Sequence, residues 1–142
     1  MQKNRLMEPV VAYAALPQSD FYAFSPQKVE SGYGYTALQE TAEVLDLSEI
    51  RLASLLHIPI RTLKRRKELG VLTVEESDRL YRLHRTLEAA QKAFGDAHKA
   101  VRWLLTPAAL FTEKMPVELV RTSQGYDQVR DELARIEYGF LA

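Results

Sequence analysis

From Thr36 onward, apolar residues recur at steps of three and four, and prolines or glycines cut the pattern into short lengths. No stretch alternates with period two for long enough to demand a strand. This punctuated helical period constrains the fold most, because amphipathic helices must bury their stripes against one another. The expected class is all-α. The chain has 142 residues, 46% of them apolar and 27% charged, which is enough for one domain or two very small ones. Such a chain can bury roughly two thirds of its unfolded surface. It has no cysteine, which excludes disulfides, thiolate metal sites and a cysteine nucleophile. No apolar run approaches the roughly 18–20 residues that span a bilayer. The apolar stretch Val10 to Leu16 is broken by Pro17 and does not read as a secretory signal. A cytoplasmic protein with no membrane partner is expected.

The punctuation gives an order of elements. Residues 1–35 contain Pro9, Pro17, Pro26, Gly32 and Gly34, with five tyrosines or phenylalanines between Phe21 and Tyr35. They read as an irregular, aromatic arm that packs on its own domain or on a second copy. Thr36-Ala37-Leu38-Gln39 has capping-box form, and Leu38, Ala42 and Leu45 then share a face. A second helix runs from about Ser48 to His57, and residues 61–68 form a third, short and basic, ended by Gly70. Thr73-Val74-Glu75-Glu76 opens a long helix to about Gly95, with Leu80, Leu83, Leu87, Ala90 and Phe94 on one side. Residues 96–105 make a further short helix. Thr106-Pro107 and Met115-Pro116 each offer a cap and a first-turn proline for another. Gly125 precedes a last helix with Tyr126, Val129, Leu133 and Ile136 in one stripe, ended by Gly139. The expected organisation is an arm over 1–35, one helical domain over 36–95 and a smaller one over 96–142.

Nineteen basic and nineteen acidic side chains cancel overall but not locally. Residues 1–47 carry net −3, residues 48–86 net +4, residues 87–106 net +1 and residues 107–142 net −2. Positive charge gathered in one central segment suggests an anion-binding surface, nucleic acid first. That segment, Glu49 to Glu68, resembles a helix-turn-helix of the Xre/Cro-like kind. Ala53 is the small residue needed where the second helix crosses the first. Leu52, Leu56, Ile58 and Leu63 fall at the core positions, and His57 occupies the turn position that commonly holds a left-handed glycine. The second helix would enter a major groove with its N-terminal residues toward base edges. Arg61, Thr62, Lys64 and Arg65 are placed outward to read bases or phosphates. Arg66 and Lys67 are assigned to phosphates, or to covering the core with their aliphatic stems. A charged, solvated helix in an ordinary bundle is the plain alternative.

Further along, Gly70-Val71-Leu72-Thr73-Val74-Glu75-Glu76-Ser77-Asp78-Arg79 looks like a family pattern in which Glu-Ser-x-Arg precedes a long helix. Ala100-Val101-Arg102-Trp103-Leu104, Pro107, Leu110 and Pro116 continue it. So do Gly125-Tyr126-Asp127-Gln128-Val129, Leu133, Ile136, Tyr138 and Gly139. From about residue 40 to 141 the chain is similar to the Xre/MbcA/ParS antitoxins. The resemblance implies a bacterial type II antitoxin partnered with a RES-domain toxin, a class that consumes NAD. It implies that the C-terminal region occludes the toxin's active site, and that the complex represses its own promoter through operator DNA. On that reading the partner surface comprises Arg135, Tyr138, Phe140, Leu141 and Ala142. Tyr126, Val129, Leu133, Ile136 and Trp103 read as core.

No enzyme is expected. His57, His84 and His98 lack partners at metal-ligand spacing, and no phosphate loop or Gly-x-Ser-x-Gly occurs. Glu75-Glu76 suits the dipole at a helix start, and His84 is expected at a surface or interface. No metal or cofactor is expected. A homodimer or higher oligomer is expected, because one short recognition helix seldom supplies enough affinity alone. The rival reading is a stand-alone helix-turn-helix repressor whose C-terminal domain dimerises or senses a ligand.

Overall fold

A computed structural model describes residues 26–139, and all named elements among them are helical. They are α1 (Pro26–Ser31), α2 (Tyr35–Leu45), α3 (Glu49–Leu55), α4 (Ile60–Leu69), α5 (Val74–Phe94), α6 (Ala97–Leu104), a 3-10 turn (Ala109–Phe111), α7 (Pro116–Leu119) and α8 (Ser123–Gly139). The chain divides into two compact units between Tyr81 and Arg82. The division falls inside α5, whereas the sequence put its boundary at residues 95 and 96.

In the first unit, α2, α3 and α4 bury Leu38, Leu45, Leu52, Leu56, Ile58 and Leu63. Ser48 caps α3, its side-chain oxygen accepting from the Arg51 amide at 3.0 Å. α4 ends at Gly70, whose φ of 79° is left-handed and costs glycine little. Thr73 and Glu76 form the expected capping box at the head of α5. The Glu76 amide donates to Thr73 Oγ1 at 3.2 Å, and the Thr73 amide donates to Glu76 Oε1 at 2.9 Å. The box expected at Thr36 does not form. Gly34 is the N-cap and makes no side-chain cap bond, and α2 already begins at Tyr35.

The end of the expected arm also folds differently. Residues 26–31 are helical, and Tyr33 and Tyr35 are buried. The Tyr33 amide donates to Ser77 Oγ at 2.9 Å, the Leu72 amide to the Tyr33 carbonyl at 2.8 Å and the Tyr35 amide to the Gly70 carbonyl at 3.0 Å. Two aromatic rings thus enter the domain core, and the backbone on either side of Gly34 pairs with residues 70–72. Gly32 permits this approach, because a Cβ there would lie 2.4 Å from the Leu72 carbonyl oxygen. Residues 1–25 of the arm lie outside the described residues.

In the second unit, Leu83, Leu87, Leu104, Val117, Val129 and Leu133 form the core. Trp103 is half-buried, with ring centroids 5.8 Å from Phe94 and 6.1 Å from Phe111. Thr106-Pro107 does not start a helix. Thr106 Oγ1 donates back to the Arg102 carbonyl, and residues 108–114 close into a tight loop around the 3-10 turn, with Ala108 bridged to Lys114. Thr112 and Glu113 both take positive φ there. Met115-Pro116 does act as expected, with proline in the first turn of α7. Gly125 lies inside α8 rather than before it. A Cβ at this position would sit 2.0 Å from the Leu119 carbonyl oxygen, so only glycine lets α8 press on the end of α7. His84, expected at a surface or interface, is 4% exposed. It follows Leu80 by four residues and precedes Leu87 by three, so it lies in the buried stripe of α5.

Candidate functional site

α3 and α4 form the helix pair foreseen in the sequence. Ala53 is buried between them, and the Ile58 amide donates to its carbonyl at 2.7 Å as the chain turns back. His57 adopts φ 60°, the left-handed conformation that this turn requires. α4 is anchored through Leu63, and the remaining side chains fan outward at 100° per residue. Arg61, Lys64, Arg65 and Lys67 are exposed on this fan.

The other two of the six cations and hydroxyls proposed from sequence lie elsewhere. Thr62 is half-buried on the flank opposite Lys64. Arg66, four residues on, turns inward and its Nε donates to Glu76 Oε1 at 2.7 Å. Both side chains of that pair are largely buried. Burial pushes the Glu76 carboxyl up, but the Arg66 hydrogen bond, the Thr73 amide and the Arg66 charge hold it below its ordinary value. Arg66 is therefore tied to the base of α5, and its charge is spent within the domain.

The Glu-Ser-x-Arg run acts as the frame of the reading head. Glu76 holds Arg66 on α4. Ser77 holds the Tyr33 amide. Arg79 Nη1 donates to the Leu56 carbonyl at 3.2 Å, satisfying an acceptor at the end of α3. Three contacts from little more than one turn of α5 thus fix the angle at which α4 presents Arg61, Lys64 and Arg65.

Two exposed isoleucines escaped the sequence reading. Ile50 in the first turn of α3 is 54% exposed, and Ile60 at the start of α4 is 52% exposed. They line a shallow groove of about 330 Å³ together with Tyr35, Ser48, Glu49, Leu63, Lys64 and Lys67. The signal was present in the sequence, since both positions fall off the Leu52–Leu56–Leu63 stripe. The Glu49 carboxylate beside them is occupied: Tyr35 Oη donates to it at 2.6 Å and Gln39 Nε2 at 3.4 Å.

In the second unit, the residues proposed for partner contact lie on or after α8. Tyr138 is 60% exposed. Arg135 is exposed and held along the helix by Glu132, with Nε donating to Oε2 at 2.9 Å and the second guanidinium nitrogen to Oε1. Phe140, Leu141 and Ala142 lie outside the described residues. Arg135 and Glu132 also line a groove of about 290 Å³ with Leu110, Phe111, Gln128 and Asp131. Leu110, 63% exposed at the tip of the 108–114 loop, was not among the proposed contacts. Val129 and Leu133 are core as expected, while Tyr126 and Ile136 are half-buried. Arg130 lies over the Tyr126 ring, 5.6 Å from its centroid, and Nη1 donates to the hydroxyl at 3.0 Å.

A helix-turn-helix braced by an N-terminal clasp, followed by a separate small helical unit, defines a DNA-binding protein with an appended interaction domain. Comparison with known proteins fixes which one. Residues 26–85 match the antitoxin Xre-like helix-turn-helix domain, and residues 89–139 match the antitoxin Xre/MbcA/ParS C-terminal toxin-binding domain. An Antitoxin Xre of Pseudomonas putida is 37% identical over 114 residues, covering 80% of this chain and 70% of the relative. An Antitoxin Xre of Yersinia enterocolitica is 39% identical over 87 residues, covering 60% of this chain and 59% of the relative. The chain belongs to the Xre antitoxins, which are not enzymes. The match beginning at residue 26 takes in the α1 segment and the two buried tyrosines. No helix among the described residues is long and apolar enough to cross a membrane.

Proposed function

We propose that this antitoxin neutralises a RES-domain toxin, an enzyme that consumes NAD, by covering the entrance to its active site with α8 and the residues that follow. Antitoxin and toxin together bind operator DNA and repress their own promoter in the cytoplasm. The observation that carries the DNA half is the exposed row Arg61, Lys64, Arg65 and Lys67 on a helix whose angle is braced from the opposite flank by Arg66 and Glu76. Two such helices from a homodimer would address paired half-sites. The toxin half is supported by the match of residues 89–139 to a toxin-binding domain and by exposed Arg135 and Tyr138 near the C-terminus. Phe140, Leu141 and Ala142, which follow α8 in the sequence, are assigned to the same contact as part of this proposal. An arginine and an aromatic are the residue types that anchor protein interfaces.

Neutralisation requires no chemistry from this chain, only occupancy of a pocket. Deleting residues 138–142 leaves Ile136 and the Glu137–Lys92 pair in place. The truncated chain is expected to bind its promoter as before and to fail to protect cells from the toxin encoded beside it. Full protection by the truncated chain would refute the role of the tail. Replacing Lys64 and Arg65 with alanine is expected to give the reverse: protection kept, promoter binding lost.

A further inference from the structure

We propose that Ile60, with Ile50 beside it, reads thymine methyl groups in the major groove, adding an apolar element to a reading head otherwise made of cations. This deepens the DNA-binding reading and rests on it. Ile60 is the first residue of α4, the end of a recognition helix that approaches base edges most closely. Its side chain is 52% exposed and that of Ile50 54%, although both are large branched aliphatics in a domain whose other isoleucine, Ile58, is 2% exposed. Both isoleucines line the same two shallow grooves, so they form one patch rather than two isolated exposures.

The surroundings select the occupant. Lys64 and Lys67 border the patch one and two turns along α4, and Arg61 is adjacent. The nearby Glu49 carboxylate is engaged by Tyr35 and Gln39. An apolar spot framed by exposed cations matches a duplex, whose phosphates flank the groove and whose thymine C5-methyl is the apolar group displayed on the major-groove floor. An apolar protein partner would not call for exposed Lys64 and Lys67 along one edge of the contact, where the one carboxylate in the groove, Glu49, accepts from Tyr35 and Gln39. A methyl buried against isoleucine is worth about one methylene of transfer energy, or roughly fourfold in affinity per contacted thymine.

The test uses the full-length chain, with its cognate toxin where the complex is the binding species, and the DNA upstream of its own gene. The same fragment is synthesised with thymidine or with deoxyuridine, which removes every C5-methyl and leaves the charge unchanged. The wild type is expected to bind the uracil fragment at least about fourfold more weakly. Ile50→Ser/Ile60→Ser is expected to bind both fragments alike, with an unchanged salt dependence, and circular dichroism checks that it is folded. Equal wild-type affinity for the two fragments would overturn the proposal while leaving DNA binding intact. So would an Ile50→Ser/Ile60→Ser chain that still discriminates between them. No binding to either fragment, with or without toxin, would overturn the DNA-binding reading itself and this proposal with it.

Discussion

Burial of His84 has a measurable consequence for stability. The imidazole is enclosed in the stripe of α5, and burial alone pushes it down to about 3 from an ordinary value near 6.5. The folded protein therefore keeps this histidine neutral throughout the range in which the unfolded chain takes up a proton. Between pH 6.5 and pH 3 the unfolded state binds more protons, so stability falls as pH falls. The full effect is present above pH 6.5 and is lost progressively below it. One group with these two values removes about 2 kcal/mol between pH 7 and pH 5. Trp103, the single tryptophan, lies in the same compact unit and reports its unfolding by fluorescence. Urea unfolding of the wild type and of His84→Gln should be compared at pH 7, 6 and 5. The wild type is expected to lose about 2 kcal/mol more than the variant over that range. Parallel pH dependence in the two proteins would refute the argument, because it would mean that His84 becomes charged at little cost in the folded state.

Glu76→Ala removes the partner of a largely buried guanidinium and one half of a capping box. It is expected to destabilise the chain by about 3 kcal/mol in chemical denaturation and to weaken promoter binding without touching any DNA-facing side chain. Gly125→Ala would ordinarily favour a helix; here it is expected to cost about 1–3 kcal/mol through overpacking against the Leu119 carbonyl, seen as a lowered melting temperature. Lys64→Ala is expected to weaken binding across all DNA sequences and to reduce the slope of log affinity against log salt by about one, measured by titration at several salt concentrations.

Much of this fold is written in spacing. The leucines of α5 and α8 recur at three and four residues, and the breaks at Gly70, Gly95 and Pro116 sit where backbone chemistry requires them. The elements that sequence alone misassigned owe their form to distant neighbours. Gly32, Tyr33 and Tyr35 look like loop and arm residues until residues 70–72 provide the edge on which they pair. Gly125 looks like a helix stop, yet its meaning is a close approach to α7, a contact between separate elements. Thr106-Pro107 carries the signature of a helix start, but the loop closed between Ala108 and Lys114 takes its place. The reading head was legible as a cationic helix. Its sorting into outward Arg61, Lys64, Arg65 and Lys67 and inward Arg66 was not, because that depends on a glutamate ten residues away.

The chain divides its labour between a cationic helix-turn-helix unit and a C-terminal toxin-binding unit. If the partner is the NAD-consuming toxin proposed above, cellular NAD, measured after induction of that toxin alongside the wild-type chain, Lys64→Ala/Arg65→Ala or the chain lacking residues 138–142, tests this division most directly. NAD is expected to hold with the first two and to collapse with the third. Collapse with the double alanine variant, or preservation with the truncated chain, would contradict the account.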